Sequence, residues 1–178
     1  PIYGMPESFT NIFGYGTFLG ISLTIWITLF FIILVYIFIN MTKMGRYFYA
    51  IGGNIRAAEL SGINVRVYIV SAYVFSAIVT SFAALLITAR LETGEPNIGA
   101  SYPLLSIAAC AIGGVSLLGG VGRVQNVVLG AFFIILIQNG MNLMRVGSYL
   151  QMVVIGVLLI VAISAEYFRQ QMLSTIKR

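Results

Sequence analysis

The sequence predicts an all-α integral membrane fold, a multi-span helix bundle of about five spans, and three observations carry that prediction. The chain is 60% hydrophobic and only 8% charged, with a mean hydropathy of +1.00. A soluble domain carries about 25% charged residues, so most of this surface must face something other than water. The apolar residues also fall in uninterrupted runs long enough to cross a hydrocarbon core of about 30 Å. The charges gather in the stretches between those runs, and their sign is unevenly divided between the two sides.

The chain opens with PIYGMP, without an initiator methionine and without the basic region and cleavage signature of a signal peptide, so it reads as a piece that begins inside a longer protein. Residues 18–40 form the first span, twenty-three residues free of charge that reach about 34 Å as a helix. A polar stretch follows, AIGGNIRAAELSGINV. Asn54 is a good N-cap and Gly62 a good residue just past a helix end, so residues 55–61 are expected to form about two turns. A helix that short is unstable alone in water. It must dock either on the membrane surface or on a protein, and Ala57 and Ala58 offer little area to lipid but permit close contact with a partner.

Residues 67–89 form the second span. Ala72, Ser76, Thr80, Ala84 and Thr88 recur along it every fourth residue, a ridge of small side chains that lets another helix approach closely. The third span is expected over residues 98–118, with Pro103 tolerated in its first turn, Gly113 and Gly114 loosening its end, and Ser106, Cys110 and Gly114 forming a similar ridge. Residues 124–144 and 146–165 form the fourth and fifth spans. Only Arg145 and a Gly147-Ser148 turn signal separate them, which predicts a tight antiparallel hairpin. Gln138 and Asn142 project from one face near the outer end of the fourth span, with Asn139 beside them. Three amides exposed to lipid would be costly, so they either bond between helices or line the path of a polar solute.

Five spans place residues 41–66, the 119–126 loop and the 166–178 tail on one side, with eight of the ten basic residues, and leave only Arg90 and Arg145 on the other. That asymmetry predicts the first side to be cytoplasmic. It also explains the net charge of +5 without nucleic acid. No Asp, Glu, Lys or Arg lies deep inside a span, which disfavours a proton-coupled carrier. The glycine-rich GGVSLLGGVGR lacks the lysine followed by Ser or Thr of a phosphate-binding loop. The chain has no histidine and a lone Cys110, so no catalytic, cofactor or metal site is expected in it.

GRYFYAIGGNIRAAELSGINV, then ETGEPNIGASYPLLSIAACAIGGVSLLGGVGRVQNVVLGA, then QNGMNLMRVGSYLQMVVIGVLLIVAI, together with the opening PIYGMP, resemble the C-terminal half of the permease subunit of ribose-type ABC importers. The resemblance implies the second half of a roughly ten-span subunit, similar in fold to the vitamin B12-type importers, in a bacterial inner membrane. It implies that two permease subunits pair with each other and with two ATPase subunits, which bind the ATP, and that a periplasmic or lipid-anchored binding protein delivers a monosaccharide. The polar helix then looks like a contact for the ATPase through Asn54, Arg56, Ala57, Ala58 and Gly62. The 119–126 loop, with Gly119, Gly120, Gly122 and Arg123, is the competing contact, and IAACAIGGVSLLGG has a pattern of alanines then glycines somewhat like importer coupling loops. Many relatives carry acidic residues just after the Gly-Gly-Asn, where this chain has Ile55 and Arg56. A related permease for branched-chain amino acids or nucleosides, and an ATP-independent channel, stay open beside the sugar permease.

Overall fold

The computed structural model describes residue 6 and residues 9–176, with side chains described up to residue 165 and at Tyr167. The chain divides into two compact units, Pro1–Ile98 and Gly99–Arg178.

In the first unit, a π-helical turn over Thr10–Gly14 leads into a two-stranded hairpin, β1 (Thr17–Phe18) and β2 (Ile21–Ser22), with Phe18 paired to Ile21. Leu19 and Gly20 form its turn at φ +56° and +79°. Both central residues of a tight hairpin of this hand need positive φ. The first five residues of the predicted first span are therefore hairpin, and α1 runs over Leu23–Met41. The Trp26 indole N–H donates to the Phe18 carbonyl at 3.2 Å and ties the hairpin to that helix.

A corner at Thr42 turns the chain into α2 (Lys43–Gly53); Thr42 accepts from the Gly45 N–H at 3.2 Å as its N-cap. Next come α3 (Ile55–Leu60) and α4 (Val65–Leu91). Helices α1 and α4 lie antiparallel, with Phe31 on Phe82 at 4.8 Å between ring centroids and Phe38 stacked on Phe75 at 4.3 Å. Tyr47 of α2 meets Tyr68 of α4 edge-on at 4.9 Å. On α4, Ser76, Thr80 and Ala84 of the predicted ridge are exposed, while Ala72 and Thr88 at its two ends are half-buried.

In the second unit, α5 (Tyr102–Ile112), α6 (Val124–Leu143) and α7 (Ser148–Ile176) pack together. The predicted third span is much shorter than expected. Eleven residues of α5 reach about 17 Å, too little to cross a bilayer core. Pro103 in its first turn fixes the start, and a left-handed Gly114 closes the other end, its N–H donating to Ala111 O at 3.0 Å while Val115 N–H donates to Cys110 O at 2.9 Å. The packed face of α5 is not the Ser106, Cys110, Gly114 ridge either: Ala108, Ala109 and Ala111 are buried and Ser106 is exposed.

Helix α6 approaches α5 backbone to backbone. A Cβ on Gly113 would sit 2.6 Å from the Asn126 carbonyl oxygen, and one on Gly130 would collide with the Ala109 carbonyl and lie 2.9 Å from the Gly113 nitrogen. Those two contacts set an antiparallel register in which 109 faces 130 and 113 faces 126. Ile134, with Leu105, Ile112 and Leu159 around it, completes the core. The predicted α6–α7 hairpin is present. Arg145 takes the left-handed position at φ +58°, and its N–H and that of Val146 close the end of α6 on Asn142 O and Met141 O.

Among the described residues four helices are long and apolar enough to cross a membrane: Leu23–Met41, Val65–Leu91, Val124–Leu143 and Ser148–Ala165. Almost none of their surface is buried inside the chain, so it is left for lipid and for other helices. Within this unit the antiparallel pairing of α5 with α6 puts residues 99–101 and 144–147 at one end and residues 113–123 at the other.

Candidate functional site

The polar segment between α1 and α4 is built as a rigid presentation of one short helix. Asn54 is its N-cap, with Oδ1 accepting from the Ala57 N–H at 3.0 Å. At the other end Gly62 N–H donates to Glu59 O at 2.9 Å and Ile63 N–H to Ala58 O at 3.1 Å, the doubly bonded closure that a left-handed residue produces. Gly62 supplies that residue at φ +80°. Ala58, 4% exposed, packs with Ile51, Val65, Ile63 and Tyr68, so it serves the unit's own core and is not free for a partner. Ala57, Arg56 and Ile55 stay on the open side, and Leu60 is 90% exposed. Sequence reasoning missed Leu60. The signal was there: a leucine two residues before the helix-ending glycine, on the side opposite the buried Ala58.

The competing loop has a different construction. Residues 113–123 contain no helix; Ser116 N–H donates to Val121 O at 2.9 Å and Gly119 N–H to Ser116 O at 3.1 Å, with Gly119 and Gly120 at φ +97° and +76°. A Cβ on Gly122 would press on the Val115 methyls at about 3.0 Å, so the loop folds back on itself. Arg123 is exposed at the N-cap of α6. Of the two segments, then, 54–62 is a capped helix, whereas residues 119–123 are a folded-back loop that leads into α6.

The amides of α6 divide between the two roles open to them. Asn142 Oδ1 accepts from Gln151 Nε2 of α7 at 2.8 Å, an interhelical bond, and the same nitrogen donates to Val146 O at 2.8 Å. Asn139 is exposed. Gln138, half-buried, lines a cavity of about 180 Å³ with Ser101, Ser148 and Gln151 as its polar walls and Leu105 and Ile155 among its apolar ones. Gln151 was not foreseen. It is the one amide in residues 148–165, the apolar part of α7, and lies one turn past the hairpin that pairs it with Asn142.

The chain matches the model of the family described as "Branched-chain amino acid transport system / permease component" over residues 2–163. It is 39% identical over 155 residues to the ribose import permease protein RbsC of Haemophilus influenzae, covering 87% of this chain and 48% of that protein. It is 35% identical over 170 residues to the L-arabinose transport system permease protein AraH of Escherichia coli strain K12, covering 96% of this chain and 52% of the relative. Against the D-allose transport system permease protein AlsC of the same strain the identity is 34% over 165 residues, with 93% and 50% covered. The chain thus spans about half the length of the curated relatives it matches. No solved structure matches it.

Proposed function

Because the chain belongs to the family of branched-chain amino acid transport system permease components, as a multi-pass segment of a bacterial inner-membrane protein, we propose that it is half of the membrane permease subunit of an ATP-driven sugar importer. The observation that carries this reading is the similarity along nearly the whole chain to permeases named for ribose, L-arabinose and D-allose. These names favour a monosaccharide over the branched-chain amino acid in the family's description. A separate ATPase subunit binds ATP and a solute-binding protein delivers the sugar; two permease subunits enclose the path. The ATPase docks on α3, through Arg56, Ala57 and the exposed Leu60, held by Asn54 and Gly62. The path passes the outer end of α6, near Gln138.

The test is transport by the full-length permease reconstituted with its ATPase and solute-binding protein. Uptake of at least one of D-ribose, L-arabinose and D-allose, abolished by vanadate, is the expected result. Uptake that ignores vanadate would point to a channel, and uptake of leucine in place of any sugar to the amino-acid branch of the family.

Orientation is a separate expectation. Residues 41–66 and the 166–178 tail face the cytoplasm and residues 90–97 lie outside, from the division of basic residues. Asn54→Cys and Thr93→Cys, each in a Cys110→Ser background, are to be probed in intact cells with an impermeant thiol reagent. Only position 93 should label; labelling of position 54 reverses the assignment.

A further inference from the structure

The cavity beside Gln138 lies where a helix stops short. In the register set by Gly113 and Gly130, residue 101 faces residue 138, so α5 begins about five residues below the end of α6 and the chain there is irregular. Irregular backbone at membrane depth is tolerated only against protein or a water-filled space. The polar walls fit the second case. The Gln138 carboxamide makes no hydrogen bond among the described residues, although it is half-buried, and it presents a donor and an acceptor side by side. Across the cavity, Gln151 has both its described bonds on Nε2, which leaves Oε1 as an acceptor. Asn142 is the brace that holds it. Ser101 and Ser148 add hydroxyls, and among the described residues no charged side chain lines the space.

From this geometry we infer that Ser101, Gln138, Ser148 and Gln151 form a hydroxyl-binding rung of the translocation path, where one edge of a neutral polyhydroxylated solute is held in passing. The inference rests on the sugar-permease reading above. Vicinal hydroxyls place an O–H and a lone pair close to the spacing of a carboxamide's oxygen and nitrogen, whereas the lining offers no opposite charge to an amino acid's carboxylate or ammonium. The apolar walls at Leu105 and Ile155 accept the C–H face of a sugar ring. At about 180 Å³ the space is smaller than the roughly 300–1,000 Å³ of pockets that enclose a ligand. It grips an edge and lets go, which transport requires of a site along a path.

The test uses the full-length permease with its ATPase and solute-binding protein in proteoliposomes, with tritiated D-ribose, L-arabinose and D-allose as probes. Gln138→Leu is expected to lower uptake of the transported sugar roughly fivefold to tenfold, the loss of one or two hydrogen bonds, while complex assembly and receptor-stimulated ATP hydrolysis stay near their unaltered level. Gln138→Asn should keep most of the uptake. Independently, Gln138→Cys in a Cys110→Ser background should react with a small charged thiol reagent, and the transported sugar should slow that reaction. This second measurement decides the matter if the leucine variant assembles poorly. Unchanged uptake in an assembled Gln138→Leu complex, or labelling that no transported sugar slows, overturns the rung and leaves sugar transport standing. If the unaltered complex takes up none of the three sugars, the sugar-permease reading itself falls, and the rung with it.

Discussion

Gly130→Val is expected to remove most of the correctly folded permease from the membrane, while Gly140→Ala on the same helix leaves its amount unchanged or slightly raised. A Cβ at Gly130 collides with the Ala109 carbonyl and lies 2.9 Å from the Gly113 nitrogen, and all of these neighbours are backbone atoms that cannot rotate away. At Gly140 a Cβ meets nothing within 4 Å. In a bilayer, helices gain little from the hydrophobic effect when they associate, so close packing must hold α5 to α6. Pushing the helices apart at Gly130 opens the contact among Ala108, Ala109 and Ile134 as well. Overpacking costs about 1–3 kcal/mol. A penalty of that size lowers the folded-to-unfolded ratio by roughly fivefold to more than a hundredfold, a large change in a marginally stable protein. At Gly140, alanine instead gains up to about 1 kcal/mol of helix propensity. The readout is the yield and melting temperature of monodisperse full-length permease in detergent. Equal yields for the two variants would mean that α5 and α6 do not meet backbone to backbone.

The parts of this fold that were legible in the sequence are those whose causes are local or compositional. The long spans follow from hydropathy, and α3 follows from Asn54 and Gly62, because caps are fixed by the residues beside them. The hairpin between α6 and α7 came from the same kind of signal. What stayed hidden depends on backbone shape inside apolar runs. The Leu19-Gly20 turn interrupts a stretch that hydropathy reads as continuous, and α5 ends at Ile112 although the apolar character continues past Gly114 to Leu118. Hydropathy measures transfer from water and carries no information on φ. Pairing was equally invisible: nothing in a single sequence says that Phe38 stacks on Phe75, or that Asn142 meets Gln151. The amides were legible as residues that need partners, but only the register of three helices separates Gln138, which faces a cavity, from Asn142, which is bonded, and from Asn139, which is exposed. At α3 the sequence identified the segment and both its caps, yet it could not tell the buried Ala58 from the open Ala57.

Gly62→Val is expected to cut co-purification of the ATPase subunit and solute-stimulated ATP hydrolysis severalfold while the permease remains in the membrane. At φ +80° a β-branched side chain strains the backbone by about 1–2 kcal/mol, and because a Cβ there meets nothing within 4 Å, that strain is the whole effect of the substitution on the folded chain. It falls on the closure that fixes the end of α3, the bonds from Gly62 and Ile63 to Glu59 and Ala58. Freed of that closure, a helix of six residues has too little stability of its own to stay formed, so Leu60 and Arg56 no longer stand in one place. The series has an internal order. Asparagine tolerates the left-handed region and should do least harm, alanine more, and valine most. A contact that depended on the side chain at 62 would not follow that order. Charge reversal then separates the two candidate docking segments: Arg56→Glu alters the open side of α3 and Arg123→Glu the N-cap of α6, both exposed. Docking on α3 predicts the larger loss of assembly for Arg56→Glu, and the opposite order would move the contact to the 119–126 loop. If Gly62→Val and both reversals leave assembly, stimulation and uptake at the unaltered level, neither segment carries the ATPase. The capped helix would then be an anchor in the membrane interface, held there by Lys43 and Arg46 of the neighbouring α2, both exposed.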